Sequence, residues 1–164
     1  MAATDPCIEI NIAEQKLRLL SGDRVLHEYA VSTAKNGPGE IMHSECTPRG
    51  EHVIADKIGA GCIPGTVFIA REPTGEIYHP QLREQAPERD WILTRILWLR
   101  GTEPGENQGG EVDSYQRYIY IHGSPDDVEI GKPGSRGCIR MSNADVMDLF
   151  DQVKMGTRVI ITDC

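Results

Sequence analysis

Near the start of the chain, apolar positions recur every second residue. Ile8, Ile10 and Ile12 alternate with polar neighbours, which predicts a first strand. Positions 15–20 continue as a second strand. Ser21, Gly22, Asp23 and Arg24 form a turn, and positions 25–32 a third strand, so the chain opens as a β-meander. Positions 33–50 are broken by Gly and Pro and predict a loop; 52–55 and 66–69 predict strands separated by a break at 59–65. Positions 72–89 are polar and contain prolines, which predicts an irregular excursion, and 91–99 return to a β-rich apolar run. Positions 101–110 predict a flexible loop. Long loops in a compact domain are uncommon unless functional, so one or both of these segments is expected to wall a cleft.

In the last third the period changes. Arg117, Ile119 and Ile121 alternate with Tyr118, Tyr120 and His122, a strand that Gly123, Ser124 and Pro125 break. Lys132, Pro133, Gly134, Ser135, Arg136 and Gly137 form a loop that no regular element can span. Ser142 then stands as a helix N-cap with Asp145 in capping-box position. Val146, Leu149, Phe150 and Val153 follow helical spacing, with Gly156 as the stop and 157–162 as a final strand. The expected fold is mainly β, a β-sandwich or open barrel-like mixed sheet, with one short amphipathic helix after Cys138.

The 164 residues suit one domain over positions 1–164. A net charge of −8 argues against nucleic-acid or anionic-membrane partners, so any bound anion must be met by local Arg and Lys. No apolar run approaches the length of a membrane span. The opening segment, Met1 to Pro6, has no charged or apolar leader pattern. The expectation is a cytoplasmic protein, or a periplasmic one if the chain is a trimmed mature form. The five cysteines, Cys7, Cys46, Cys62, Cys138 and Cys164, are odd in number and show no C-x-x-C spacing, so reduced thiols are expected.

The candidate chemistry lies between Tyr118 and Met141. His122 ends a strand, and Cys138 sits in a glycine-rich turn just ahead of a helix, with Arg136 and Arg140 two positions to either side. Positive charge and a helix start are expected to lower the thiol pKa and favour thiolate. The glycine-rich loop can aim backbone N–H groups of Gly137 and Cys138 at an oxyanion. The other cysteines are expected to be small packed side chains, and His27, His43, His52 and His79 surface or structural groups. A zinc site built from His43, Cys46, His52 and Cys62 matches no familiar ligand spacing, so neither metal nor organic cofactor is expected.

The run H-G-S-P at 122–125 with S-R-G-C-I-R-M at 135–141 resembles the signature of the L,D-transpeptidase catalytic domain, or YkuD-like, family. The resemblance extends through Asp90 to Leu99, Glu103 to Asn107, Gly109 to Asp113 and Arg117 to Gly123. Upstream it includes Val31 to Ala34 and Thr47 to Gly50, so almost the whole chain is covered. Arg136 departs from it, because many members carry histidine there. The resemblance implies an acyl-transfer enzyme with Cys138 as nucleophile and His122 as base, acting on the bond between the diamino acid and D-alanine of a peptidoglycan tetrapeptide or muropeptide. Arg140, Ser135, Arg136, Gly123 and Tyr120 are the expected substrate-side residues, Gly123 also as a backbone anchor for the His122 tautomer. Carbapenems are expected covalent inhibitors. Without an export pattern, hydrolysis in muropeptide recycling is expected ahead of cross-linking. Rival readings are a papain-like peptidase, which usually places its cysteine before its histidine, and a non-catalytic peptide-binding module.

Overall fold

The structure is a computed structural model and describes residues 5–164. The polar opening segment read from Met1 to Pro6 lies outside the described residues up to position 4. Ten strands form one mixed sheet: β1 (Cys7–Asn11), β2 (Lys16–Ser21), β3 (Arg24–Ala30), β4 (Gly50–Ile58), β5 (Thr66–Ile69), β6 (Glu72–Ile77), β7 (Ile92–Gly101), β8 (Tyr120–Gly123), β9 (Ile139–Met141) and β10 (Arg158–Thr162). Their order is β3-β2-β1-β10-β4-β7-β5-β6, and β8 leaves this path by pairing with β7 and with β9. The expected opening meander is present as β1 to β3, paired antiparallel. The last strand returns to run parallel beside the first, Ile8 opposite Val159.

The excursion at 72–89 is more regular than its composition suggests. It contains the edge strand β6 and a short helix, α1 (Pro80–Gln85), so the described residues form two α-helices rather than one. Helix α1 buries none of its residues completely. Leu82 and Ala86 instead lean on Val67, Trp91 and Leu93, a contact no single-face periodicity announces.

The second helix, α2 (Asn143–Gln152), follows Cys138 as expected. Ser142 caps it by accepting from the Asp145 amide at 3.1 Å. It ends at Gln152 rather than at Gly156, because Lys57 of β4 donates to the carbonyls of Phe150 and Val153, both at 2.7 Å. Val146, Leu149 and Phe150 bury their side chains in the main core with Leu97, Ile121 and Ile139. Alternation along β7 and β8 sends Ile96, Trp98 and Tyr120 to the opposite face, where they join Phe68 in a second cluster. Cys138 packs against that second cluster.

The loop at 101–110 is pinned rather than flexible. Buried Asn107 donates to the carbonyls of Arg49 (3.1 Å) and Glu51 (3.0 Å) and accepts from the Glu103 amide at 2.9 Å. Among the described residues no helix is long and apolar enough to cross a membrane.

Candidate active site

Strands β8 and β9 are parallel, with Ile121 opposite Ile139 and His122 opposite Arg140. Continued back by one residue, this register sets Tyr120 beside Cys138, and the Tyr120 amide donates to Cys138 Sγ at 3.3 Å. Side chains two apart on a strand share a face, so Tyr120, His122, Cys138 and Arg140 occupy one side of this pair. His122 is thus the diagonal neighbour of Cys138 across the two strands.

His122 is fully buried. Its Nδ1 lies 2.7 Å from the carbonyl of Gly123. A carbonyl can only accept, so Nδ1 carries the proton and Nε2 keeps its lone pair. Nε2 is buried and has no hydrogen-bond partner among the described residues. Burial pushes the imidazole pKa down; the Asp90 carboxylate and the Gly123 bond pull it up, and Arg140 pushes it further down.

Gly123 fits because it has no side chain. A Cβ there would stand 2.6 Å from both the Leu93 carbonyl and Asn143 Oδ1. The close approach comes from a bulge in β7, where the register with β8 shifts between Leu93 and Ile96. Thr94 sits in that bulge at φ +74, held by its hydroxyl donating to Asn143 Oδ1 at 2.5 Å. Gly123 therefore anchors the imidazole and the sheet, and it lines neither cleft described below.

Cys138 is partly exposed and its sulfur rests between two backbone groups, accepting from Tyr120 N and donating to Tyr118 O, both at 3.3 Å. Tyr118 itself sits at φ +58, outside the strand it was expected to share with Tyr120. Burial pushes the thiol up to about 12, and the Asp90 carboxylate adds to the rise. The Tyr120 amide, Arg140 and Arg117 act in the opposite direction and do not overcome it. The expectation of a lowered thiol pKa is therefore corrected. Arg140 pairs with Asp90 (3.3 Å), and Arg136 turns outward to donate to the Glu88 carbonyl (2.9 Å).

The loop before Cys138 is tied to the early landmarks at 31–34 and 47–50. The Gly134 and Ser135 amides both donate to the Thr33 carbonyl at 2.9 Å, and Thr47 Oγ1 donates to the Gly137 carbonyl at 2.9 Å. Buried Ser135 Oγ donates to the Cys138 carbonyl (2.5 Å) and accepts from the Gly137 amide (3.2 Å). Ser135 thus shapes the loop. The Gly137 amide, expected to serve an oxyanion, is held by Ser135 in the resting state.

Two clefts flank this centre and share Arg136. One, of about 410 Å³, is lined by Cys138, Tyr120, Tyr118, Arg71, Arg117 and Asp90 among others. The other, of about 290 Å³, is lined by Arg83, Pro87, Arg89, Trp91 and Arg140 among others, so the excursion at 72–89 does wall a cleft. The pinned loop at 101–110 lines neither. Sequence reasoning missed Asp90, which acts electrostatically on both His122 and Cys138, and Arg71 and Arg117 on the thiol side. Asp90 stood at the head of the apolar run at 91–99 and carried a faint signal. Arg71 carried none. His52, one member of the zinc alternative, is buried, with Nδ1 3.1 Å from the Gly50 carbonyl and Nε2 2.8 Å from Ser114 Oγ.

Residues 5–161 match the family model for the L,D-transpeptidase catalytic domain, YkuD. The chain is 51% identical to YqjB of Bacillus subtilis over 160 residues, covering 97% of this chain and 72% of that protein. It is 46% identical to YkuD of Bacillus licheniformis, covering 94% of this chain and 64% of the relative; both carry L,D-transpeptidase names. Among solved structures, the L,D-transpeptidase LdtMt1 in complex with imipenem shares the fold at 19% identity and a TM-score of 0.58, covering 96% of this chain and 58% of that one.

Proposed function

The chain belongs to the L,D-transpeptidase catalytic domain family, and on that premise we propose that it is a cysteine acyl-transfer enzyme acting on peptidoglycan stem peptides. The observation that carries the reading is the buried, unpartnered Nε2 of His122, its tautomer held by Gly123, on the same sheet face as a cysteine that opens into an arginine-lined cleft. A buried imidazole nitrogen with a free lone pair costs stability unless something uses it.

In this reading, rotation about the Cys138 side-chain bond carries Sγ from the Tyr118 carbonyl to His122 Nε2. Catalytic hydrogen bonds often tighten only when substrate binds. His122 takes the thiol proton as Sγ attacks the carbonyl of the diamino acid. The Tyr120 amide steadies the developing sulfur anion, and the backbone amides of Cys138 and, once released by Ser135, Gly137 meet the oxyanion. The carbon–nitrogen bond breaks, His122 returns its proton to the leaving D-alanine amine, and a thioester remains. Water resolves it to a tripeptide, or an amine resolves it to a cross-link.

Hydrolysis was the sequence-based expectation, but it rested on the opening segment and gains no support from the site. The second cleft, which shares the lining residue Arg136 with the first, favours an amine acceptor, because water needs no peptide site of its own. Incubation of a disaccharide-tetrapeptide with and without an amine acceptor, followed by product analysis, separates the two. Cys138→Ala is expected to abolish D-alanine release in both arms, and retained release overturns the assignment. Imipenem, bound by the LdtMt1 relative, is expected to add its mass to Cys138.

A further inference from the structure

Arg71 stands in the cleft that holds Cys138, yet no motif pointed to it. It occupies the two-residue turn between β5 and β6, where Ala70 (φ +48) and Arg71 (φ +67) are both left-handed. Asparagine and glycine are the usual residues for such a turn, so a long L side chain is held here against its backbone preference. Its guanidinium lies over the rings of Trp98 (4.7 Å) and Tyr118 (5.0 Å) and donates once, to the Tyr120 hydroxyl at 3.1 Å. That is the same Tyr120 whose amide touches the thiol. Arg18, Arg49, Arg83, Arg89, Arg140 and Arg158 each have a carboxylate partner. Arg71 makes no ion pair among the described residues, although the protein carries 25 acidic residues against 17 basic ones. The acid in the cleft, Asp90, is taken by Arg140. Arg117, which shares the cleft, directs its donors to the carbonyls of Gly39, Glu40 and Cys46, so it adds positive charge without a free fork.

Resting on the acyl-transfer reading above, we propose that Arg71 is a specificity-determining residue that receives the terminal carboxylate of the leaving residue. A donor that loses its last residue presents that carboxylate one residue beyond the scissile bond, close to the attacking sulfur. The two rings and the Tyr120 hydroxyl hold the guanidinium in the cleft, and four of its five N–H groups remain available for a bidentate contact. The enzyme then selects peptides that end immediately after the scissile bond and discriminates against extended or terminally amidated ones.

The test compares a tetrapeptide donor bearing a free terminal carboxylate with the same peptide ending in a carboxamide, on wild type, Arg71→Gln and Arg71→Lys. Wild type is expected to favour the acid by roughly tenfold or more in kcat/KM. Arg71→Gln is expected to lower kcat/KM for the acid, mainly through KM, and to bring the ratio close to one, while Arg71→Lys keeps part of the preference. Equal use of acid and amide by wild type overturns the proposal. So does an equal loss on both donors in Arg71→Gln, the mark of a residue that only supports Trp98 and Tyr120. Imipenem labelling of Cys138 in the same preparations separates the two readings. Labelled enzyme with an unchanged acid-to-amide ratio removes the role of Arg71 alone, whereas wild type that neither labels nor releases D-alanine removes the acyl-transfer reading and this one with it.

Discussion

An imidazole can take a proton from a thiol only if one of its nitrogens is both free and correctly protonated. Gly123 meets the second condition by fixing the proton on Nδ1, and burial meets the first by leaving Nε2 nothing else to bind. The thiol side follows a different logic from a preformed thiolate. With the sulfur raised to about 12 and the imidazole lowered, both partners rest neutral, and in the proposed acyl transfer the proton moves only during reaction. Alkylation of Cys138 by iodoacetamide at pH 7, followed by peptide mass mapping, is therefore expected to be slower than that of a free cysteine and to quicken as pH rises. Rapid, pH-independent labelling between pH 6 and 8 contradicts a neutral resting thiol. The arginines beside Cys138 in sequence suggested the opposite, because flanking charge is visible along the chain. What Arg140 and Arg136 bind instead, Asp90 and the Glu88 carbonyl, is not.

Strands with alternating apolar residues and a capped amphipathic helix were predictable because their signals are local. β1, β2, β7 and α2 all lie where periodicity put them, to within a few residues. Elements that depend on a distant partner were not. Strand β9, three residues long, exists because β8 offers it a ladder, and α1 because Trp91 and Val67 offer Leu82 a surface. The end of α2 has the same character. Gly156 looked like the stop, but Lys57 closes the helix earlier by donating to its last carbonyls, and its ammonium also sits 4.2 Å from the Phe150 ring centroid. Lys57→Met keeps the stem and removes these contacts, and is expected to destabilise the fold by about 1.5–3 kcal/mol. Urea unfolding of the two proteins measures it, and an unchanged midpoint means the carbonyls are as well served by water.

At the scale of the whole molecule, a long-range contact buried on β4 couples stability to pH. His52 of β4 is buried between the Gly50 carbonyl and Ser114, and burial lowers its pKa to about 4, with Arg117 nearby acting in the same direction. The unfolded chain binds this proton near pH 6.5, so on acidification the unfolded state gains protons first. Stability is therefore complete above about pH 6.5 and falls as pH drops toward 4, by about 3 kcal/mol in total for this group. His122, also lowered, adds to the loss in the same direction. Unfolding free energies measured at steps from pH 7 to 4 are expected to fall along this window, and His52→Gln is expected to flatten the slope even where it lowers the absolute value. An equally steep slope in that variant assigns the acid sensitivity elsewhere.

By itself, the order of residues determined the strand-rich class, the helix behind Cys138, the identity of the candidate pair and the family, because periodicity, capping and short motifs are written over neighbours in the chain. Only the tertiary structure decided the protonation and surroundings of that pair. The tautomer of His122 depends on a bulge at Thr94 that lets Gly123 approach Leu93, and the resting state of the thiol on burial and on Asp90. Arg71 enters the cleft through a turn between strands whose neighbour in the sheet lies more than twenty residues on, at Leu93. Desolvation and electrostatic coupling act through space, and no spacing along the chain records which charges the fold will bring together or which it will shut away from water.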